Sequence, residues 1–483
     1  MRLRRFLACC ALAALAAVAP APAQQDTLQI SLDQAVSMAL ERHLGLRSAR
    51  LGQQFQERSV AQEQARFGHT LTASLNNQSS RSPSTSRLEA VTISTSNALG
   101  LGLGLSQELA TGGRLSLTFS NDRSSNNAAF TTLNPLYRSG LNLSFSQPLF
   151  QGRGGVNRIG LRVARNALSA AELTVQGQTQ DLRAEVSRAY WDLFLAGQNL
   201  QLRQQFLAGA QRVLETAKVR AEVGSDPVSN ILQAEVGVAQ RQQEIVGAQA
   251  GLRQNEDLLM TLLGLDQHSQ SWQAAVRPVD APEVAAFAGD PESGLARTLA
   301  FSPAYRRAEL DLKNAELQLV LARDQARPAV SLSTQAGFSG IGGTYGDNLD
   351  GLKSGDSRSW QGGLSIHFPL GEDPTQIRVQ QQLIQQQQRQ VALEQLRLQL
   401  AQQVRNQHRS VETSRQREEA ARWTERLSAQ NLEELEERLS LGLATVRQVL
   451  DAQDDLAQAR LSRLQALVDY NKALIEWRRL TGD

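Results

Sequence analysis

The chain states one motif twice. Val223-Gly224-Ser225-Asp226-Pro227 leads into Val228-Ser229-Asn230-Ile231-Leu232-Gln233-Ala234, and Leu441-Gly442-Leu443-Ala444-Thr445 leads into Val446-Arg447-Gln448-Val449-Leu450-Asp451-Ala452. Gly224 falls on Gly442, Leu232 on Leu450 and Ala234 on Ala452, always 218 residues apart. The same separation carries Gly264 onto Gly482, so the match covers a whole helical hairpin. Arg42-His43-Leu44-Gly45-Leu46 matches Phe301-Ser302-Pro303-Ala304-Tyr305 at a separation of 259, as Leu71 matches Val330, which leaves about 41 extra residues in the first half. A repeat that cannot bury its apolar face alone must pack on its copy. The predicted organisation is a first repeat over 24–264, a linker over 265–291 and a second repeat over 292–483.

The N-terminus reads as a leader over 1–23: Arg2, Arg4 and Arg5, an apolar run from Phe6 to Val18, then the small residues of Ala21-Pro22-Ala23. That run is too short to span a bilayer, which takes ~20 residues. Both cysteines, Cys9 and Cys10, lie inside it, so no disulfide holds the exported chain. With the leader's three arginines gone, 47 basic side chains face 48 acidic ones, a balance that gives no reason to expect nucleic acid as a partner. No other apolar stretch reaches spanning length. Any insertion into a membrane must therefore use strands.

From Asn157 to about Arg220, and from Thr375 to about Leu439, proline is absent and apolar residues recur at three and four. Leu182, Val186, Ala189, Leu193 and Leu200 mark the first stripe; Leu393, Leu396, Leu400 and Val404 mark the second. These predict amphipathic helices of coiled-coil character, each on the order of 100 Å long at 1.5 Å per residue. Shorter helices are predicted over 31–67, 228–263, 292–326 and 446–480, with Ser31 as an N-cap and Asp226-Pro227 as a helix start.

Between the helices the period falls to two. Leu71, Ala73 and Leu75 alternate with polar residues, as do Leu99 to Leu105, Leu115 to Phe119, Leu141 to Phe145, Val330 to Thr334 and Trp360 to Phe368. Each predicts a strand with one apolar face and one face of Ser, Asn, Gln and Gly. That pattern suits a barrel with lipid outside and water inside. The stretches 81–90, 121–138 and 340–358 read as polar loops, and Ala110-Thr111-Gly112-Gly113-Arg114 as a tight turn. One copy has too few strands to close a barrel, and an open edge cannot face hydrocarbon, so oligomerisation follows.

A duplicated, exported chain in which each copy reads helix, strand hairpin, long helix, glycine turn and returning helix resembles the TolC-like outer-membrane efflux proteins. The glycine-turn motifs at Gly224 and Gly442 carry the resemblance, with Gln147-Pro148-Leu149-Phe150 and His367-Phe368-Pro369-Leu370 where strands re-enter helices. It implies a mainly α fold with transmembrane β, and a homotrimer whose strands share one barrel in outer-membrane lipid above a helical periplasmic tunnel. It also implies an inner-membrane transporter and a periplasmic adaptor (membrane fusion) protein as partners. The docking turns would be Gly224 and Ser225, and Gly442, Leu443, Ala444 and Thr445. Asp451 falls on the family's ring of aspartates at the channel gate. Gln448, Asn230 and Gln233 are further gate positions, but Gln448, Ala444 and Asn230 stand where the family's closing network is charged, so closure here is expected to rest on helix packing. The family contributes four strands per protomer against the six segments counted here. Either the added hairpin widens the barrel to eighteen strands or it folds beneath a standard twelve, which the family pattern favours.

Two other function classes fit the sequence less well. A periplasmic adaptor or surface coiled-coil protein has no use for lipid-facing leucines. A hydrolase needs a cluster of acid, base or nucleophile groups, and His43, His69, His268, His367 and His408 are scattered. The expectation is a passive exit duct without cofactor or catalysis.

Overall fold

A computed structural model describes residues 27–84, 91–223, 227–265, 275–368 and 373–482. The leader, Gly224, Ser225, Asp226, His268, Pro369 and Leu370 lie outside the described residues. The fold divides into two compact units, and each takes segments from both sequence repeats. One consists of the residues up to His43 with Leu182–Phe287 and Ser410–Glu476; the other of Leu44–Asp181, Ala288–Arg409 and Trp477 onwards.

The second unit holds the sheet. Strands β2 (His69–Pro83), β3 (Ile93–Glu108), β4 (Arg114–Asn126), β5 (Leu136–Pro148), β7 (Ala329–Gly342) and β8 (Arg358–His367) pair side by side in that order, antiparallel throughout. All six alternating segments join one sheet, so the family count of four strands per chain is not what this chain forms. The turn between β3 and β4 closes where predicted: Gly112 takes φ 90°, and Leu109 N donates to Gly113 O at 2.7 Å. The polar stretch after β7 is not only loop. Thr344 accepts from Asp347 N at 3.3 Å and starts a helix over Tyr345–Ser354, which Gly355 ends at φ 69°. Buried Asn348 fastens that helix to β5, accepting from Ser139 N at 2.9 Å and donating to Ser139 Oγ at 2.7 Å.

The helices obey their sequence signals with two corrections. Ser31 caps α1 (Leu32–Arg42) in a full capping box with Gln34. The segment predicted as continuous over 31–67 breaks at His43, whose ψ of 122° is extended, before α2 (Leu44–Ala65). Its counterpart breaks at Ser302, ψ 115°, between α5 (Pro291–Phe301) and α6 (Pro303–Gln325). Proline 303 disfavours helical ψ in the residue before it, which accounts for the second break. The long helices are α3 (Ile159–Glu222) and α8 (Pro374–Ser440), and the returning helices are α4 (Val228–Leu262) and α9 (Val446–Thr481). Gly264 and Gly482, aligned by the repeat, both have positive φ, and each closes on an aligned neighbour, Arg42 in one unit and Phe301 in the other.

The first unit buries the predicted stripe of Leu182, Val186, Ala189 and Leu193. It also contains a parallel pair that periodicity did not predict, β1 (Thr27–Ile30) with β6 (Ala275–Pro278), the latter inside the expected linker. Fully buried Tyr190 on α3 holds this pair. Its hydroxyl accepts from Val279 N and Asp280 N, both at 3.1 Å, and lies 3.0 Å from Asp280 Oδ2 and 3.1 Å from Ile30 O. Burial foremost raises the phenol to about 12, so above pH ~10 the unfolded chain ionises first and stability falls as pH rises towards 12. Tyr190→Phe strands two backbone N–H groups and should cost about 1–3 kcal/mol at neutral pH. It should also remove the tyrosine's share of the alkaline loss. Thermal melts between pH 7 and 11 check both effects.

Candidate functional site

The first candidate surface is the sheet itself. Pairing register aligns Leu71, Leu105, Leu117, Leu143, Ala336 and Trp360 in one row across all six strands. The next row reads Ala73, Leu103, Phe119, Leu141, Phe338 and ends on Arg358 at the first residue of β8. These side chains share one face, and the large ones at its edges are bare: Leu71 is 75% exposed and Trp360 86%. A contiguous apolar patch of this extent has no stable place in water. Directly behind it, the row Thr72, Gly104, Thr118, Asn142, Gly337, Ser359 is small and polar. Ser116 and Ser144 hydrogen-bond across it at 2.6 Å, and a Cβ on Gly102 or Gly104 would collide with the hydroxyls of Ser74 or Thr72. Glycine here keeps the polar face low and lined with hydroxyls. Where β3 and β4 meet, Glu108 bonds Arg114 at 2.6 Å and Arg66 at 3.0 Å.

The second candidate surface is the turn between α8 and α9, in the other unit. Gly442 takes φ 76° with open space around it, Gly442 N donates to Leu439 O at 3.0 Å and Leu443 N to Arg438 O at 2.8 Å. This is a Schellman ending, which needs a residue at positive φ. Thr445 then starts α9 with a capping box: Gln448 N donates to Thr445 Oγ1 at 3.3 Å and Thr445 N to Gln448 Oε1 at 2.8 Å. Gln448 is thus occupied with its own helix end. Ala444 packs beside Val446, Val449 and Leu450 in an apolar cluster completed by Val213, Ala217, Ala234 and Leu439. Asn230 sits half-buried in the first turn of α4, and Gln233 is exposed. Asp451 is exposed and reaches Arg447 at 3.7 Å along its helix, an ion pair of small worth in water.

One contact at this end escaped the sequence reading. Arg241 of α4 is buried, donates to Gly237 O at 3.1 Å, and meets Asp454 of α9 at 2.6 Å. Its Nε has no partner. The available signal was a lone arginine among the small residues Ala234, Gly237 and Ala248, the buried stripe of α4. Burial, reinforced by Glu244, Asp451 and Asp455, raises the Asp454 carboxyl above its ordinary value, with Arg241 opposing.

Among the described residues no helix is long and apolar enough to cross a membrane, and no group of three or more His, Cys, Asp or Glu is placed to hold a metal. The two-faced sheet, joined to very long amphipathic helices, defines an outer-membrane channel fold. The chain belongs to the outer membrane efflux protein family, whose model matches residues 114–265 and 295–483, and its location is the outer membrane. It is 23% identical over 328 residues to the outer membrane efflux protein BepC of Brucella suis biovar 1 (strain 1330), covering 66% of this chain and 68% of that one. A membrane protein from Pseudomonas aeruginosa superposes with a TM-score of 0.71 at 20% identity over 93% of both chains. The CmeC outer membrane channel of Campylobacter jejuni gives 0.71 at 15% identity over 93% of this chain and 85% of its own.

Proposed function

We propose that three copies of this chain form a passive exit duct of a tripartite efflux or type I secretion system. An inner-membrane transporter supplies the energy, a periplasmic adaptor bridges, and the trimer conducts substrate outwards through a helical tunnel and a shared barrel. The observation that carries this reading is the sheet: apolar on one face, hydroxylated on the other, and open at both edges, β2 and β8. Backbone groups on an open edge are not satisfied in hydrocarbon, so the edges need strands from other copies. The adaptor docks at the glycine turns, Gly224 and Ser225 on one hairpin and Gly442 to Thr445 on the other. Asp451, exposed and paired only with Arg447 of its own helix at 3.7 Å, contributes one carboxylate of three to a cation-attracting constriction. Native mass spectrometry in detergent, with planar-bilayer recording, tests the reading. A trimer that conducts is expected; a monomer that stays soluble without detergent overturns it. In the same recordings Asp451→Asn should reduce block by divalent cations several-fold, and unchanged block would remove Asp451 from the gate.

A further inference from the structure

We propose that Arg81, Arg123 and Arg358 form a basic collar on the apolar face of the sheet that binds the phosphorylated headgroups of outer-leaflet lipid. The inference rests on the membrane-inserted duct proposed above and adds the lipid that its outer rim takes. Alternation places the three arginines on the face of Leu71, Leu117 and Trp360, and all three are exposed. The acids of the six strands, Glu108 and Asp122, fall on the opposite face. Among the described residues no carboxylate pairs with any of the three arginines. The charge on the apolar face is therefore all basic.

The pairing register sets the three on one level. Arg123 shares its row with Leu99 and Asn77, and Arg81 lies four residues further from the helical end of the sheet. Arg358 shares its row with Phe338, Leu141 and Phe119, four residues nearer to that end than Arg123. The line through them thus shifts about 27 Å along the strands over about 24 Å across them, close to the ~45° tilt of strands that span a membrane. In a barrel so tilted the three stand at equal height. The apolar margin at the helical end shifts in the same sense, from Leu71 on β2 to Ile366 on β8. Leu71 and Arg81 are ten residues apart, about 24 Å of depth at that tilt, against the ~25 Å apolar band of an outer-membrane barrel. The collar marks the boundary away from the helices.

Its surroundings suit a lipid phosphate better than a dissolved anion. Trp360, 86% exposed, stands two residues from Arg358 on the same face. Arg123 donates from Nε to the Tyr137 hydroxyl at 3.2 Å and lies 5.9 Å from the ring centre, which leaves its Nη groups for a ligand. The helix over Tyr345–Ser354 rests on this face as well, since a Cβ on Gly340 would collide with its backbone, and Tyr345 meets Tyr137 edge to face at 6.2 Å. The acids of that helix are engaged locally, Asp347 by Thr344 at 2.7 Å and Asp350 by Lys353 at 4.0 Å. Tyrosine and tryptophan settle at headgroup level, and the guanidinium fork matches phosphate oxygens with two parallel N–H donors.

The test adds lipid A, bisphosphorylated or fully dephosphorylated, to the delipidated trimer in detergent and measures bound lipid by native mass spectrometry. The bisphosphorylated form should bind about tenfold more tightly, and excess inorganic phosphate should not displace it. Replacing Arg81, Arg123 and Arg358 together by Gln should abolish that preference, and each single replacement should lower it about two- to threefold, so the single variants decide the matter if the triple one does not assemble. Arg138→Gln, at the same end of the sheet on the polar face, should keep the preference whole. Equal binding of the two lipids, displacement by inorganic phosphate, or a preference that survives in the arginine variants overturns the collar and leaves the duct intact. A detergent-independent monomer overturns both.

Discussion

Leu117→Arg should keep this protein out of the membrane, and Thr118→Arg, one residue along the same strand, should not. Leu117 stands in the apolar row between Leu105 and Leu143, Thr118 in the polar row between Gly104 and Asn142, and both are exposed. An arginine on the lipid face of a barrel near mid-bilayer costs about 2–4 kcal/mol per copy. On the water face the same side chain extends into the lumen and costs little. Carbonate washing of cell envelopes measures the difference: Leu117→Arg released or degraded, Thr118→Arg retained as the parent is. Equal retention would mean that the leucine face does not meet lipid, and the channel reading would lose its main support.

The contrast is legible in the sequence because strand periodicity is local. Alternation places Leu117 and Thr118 on opposite faces before any partner strand is known. Helix ends are local too: the capping box at Ser31, the proline before Val228 and the glycine at 442 each act within one turn, and each marked a boundary to within a few residues. Distant pairing was not legible. Four residues at Thr27–Ile30 meet four at Ala275–Pro278 across most of the first repeat, and nothing in so short a segment states its partner. The same limit left the sheet undecided between four and six strands, since alternation identifies strands and not their neighbours. The helix over Tyr345–Ser354 was hidden by composition, its Gly, Asp and Asn reading as loop, although Thr344 and Gly355 supply both caps. At the α8–α9 turn the side chain of Gln448 closes a capping box with Thr445, a local bond that the Thr-x-x-Gln spacing carries in the sequence.

Asp454→Ala should destabilise the paired hairpins more than Arg241→Met does, although both break the same ion pair. The asymmetry follows from burial. The Arg241 side chain is 5% exposed and that of Asp454 62%. Removing the acid leaves a guanidinium in the interior with Nε already unsatisfied. Loss of one partner from a fully buried pair costs 3–5 kcal/mol, and water reaching this half-open pair reduces that to about 1–2 kcal/mol. Removing the arginine instead lets methionine fill the slot beside Gly237 and Leu450 and returns Asp454 to water, for about 0–1 kcal/mol. Thermal melting of the two variants and of their combination measures the order, with the double variant expected near Arg241→Met rather than at the sum. Since the contact ties α4 to α9, Asp454→Ala should also open the proposed channel more often in bilayer recordings. Equal melting of the two single variants would show that water, not Asp454, satisfies Arg241, and closure would then rest on the apolar cluster around Val449 alone.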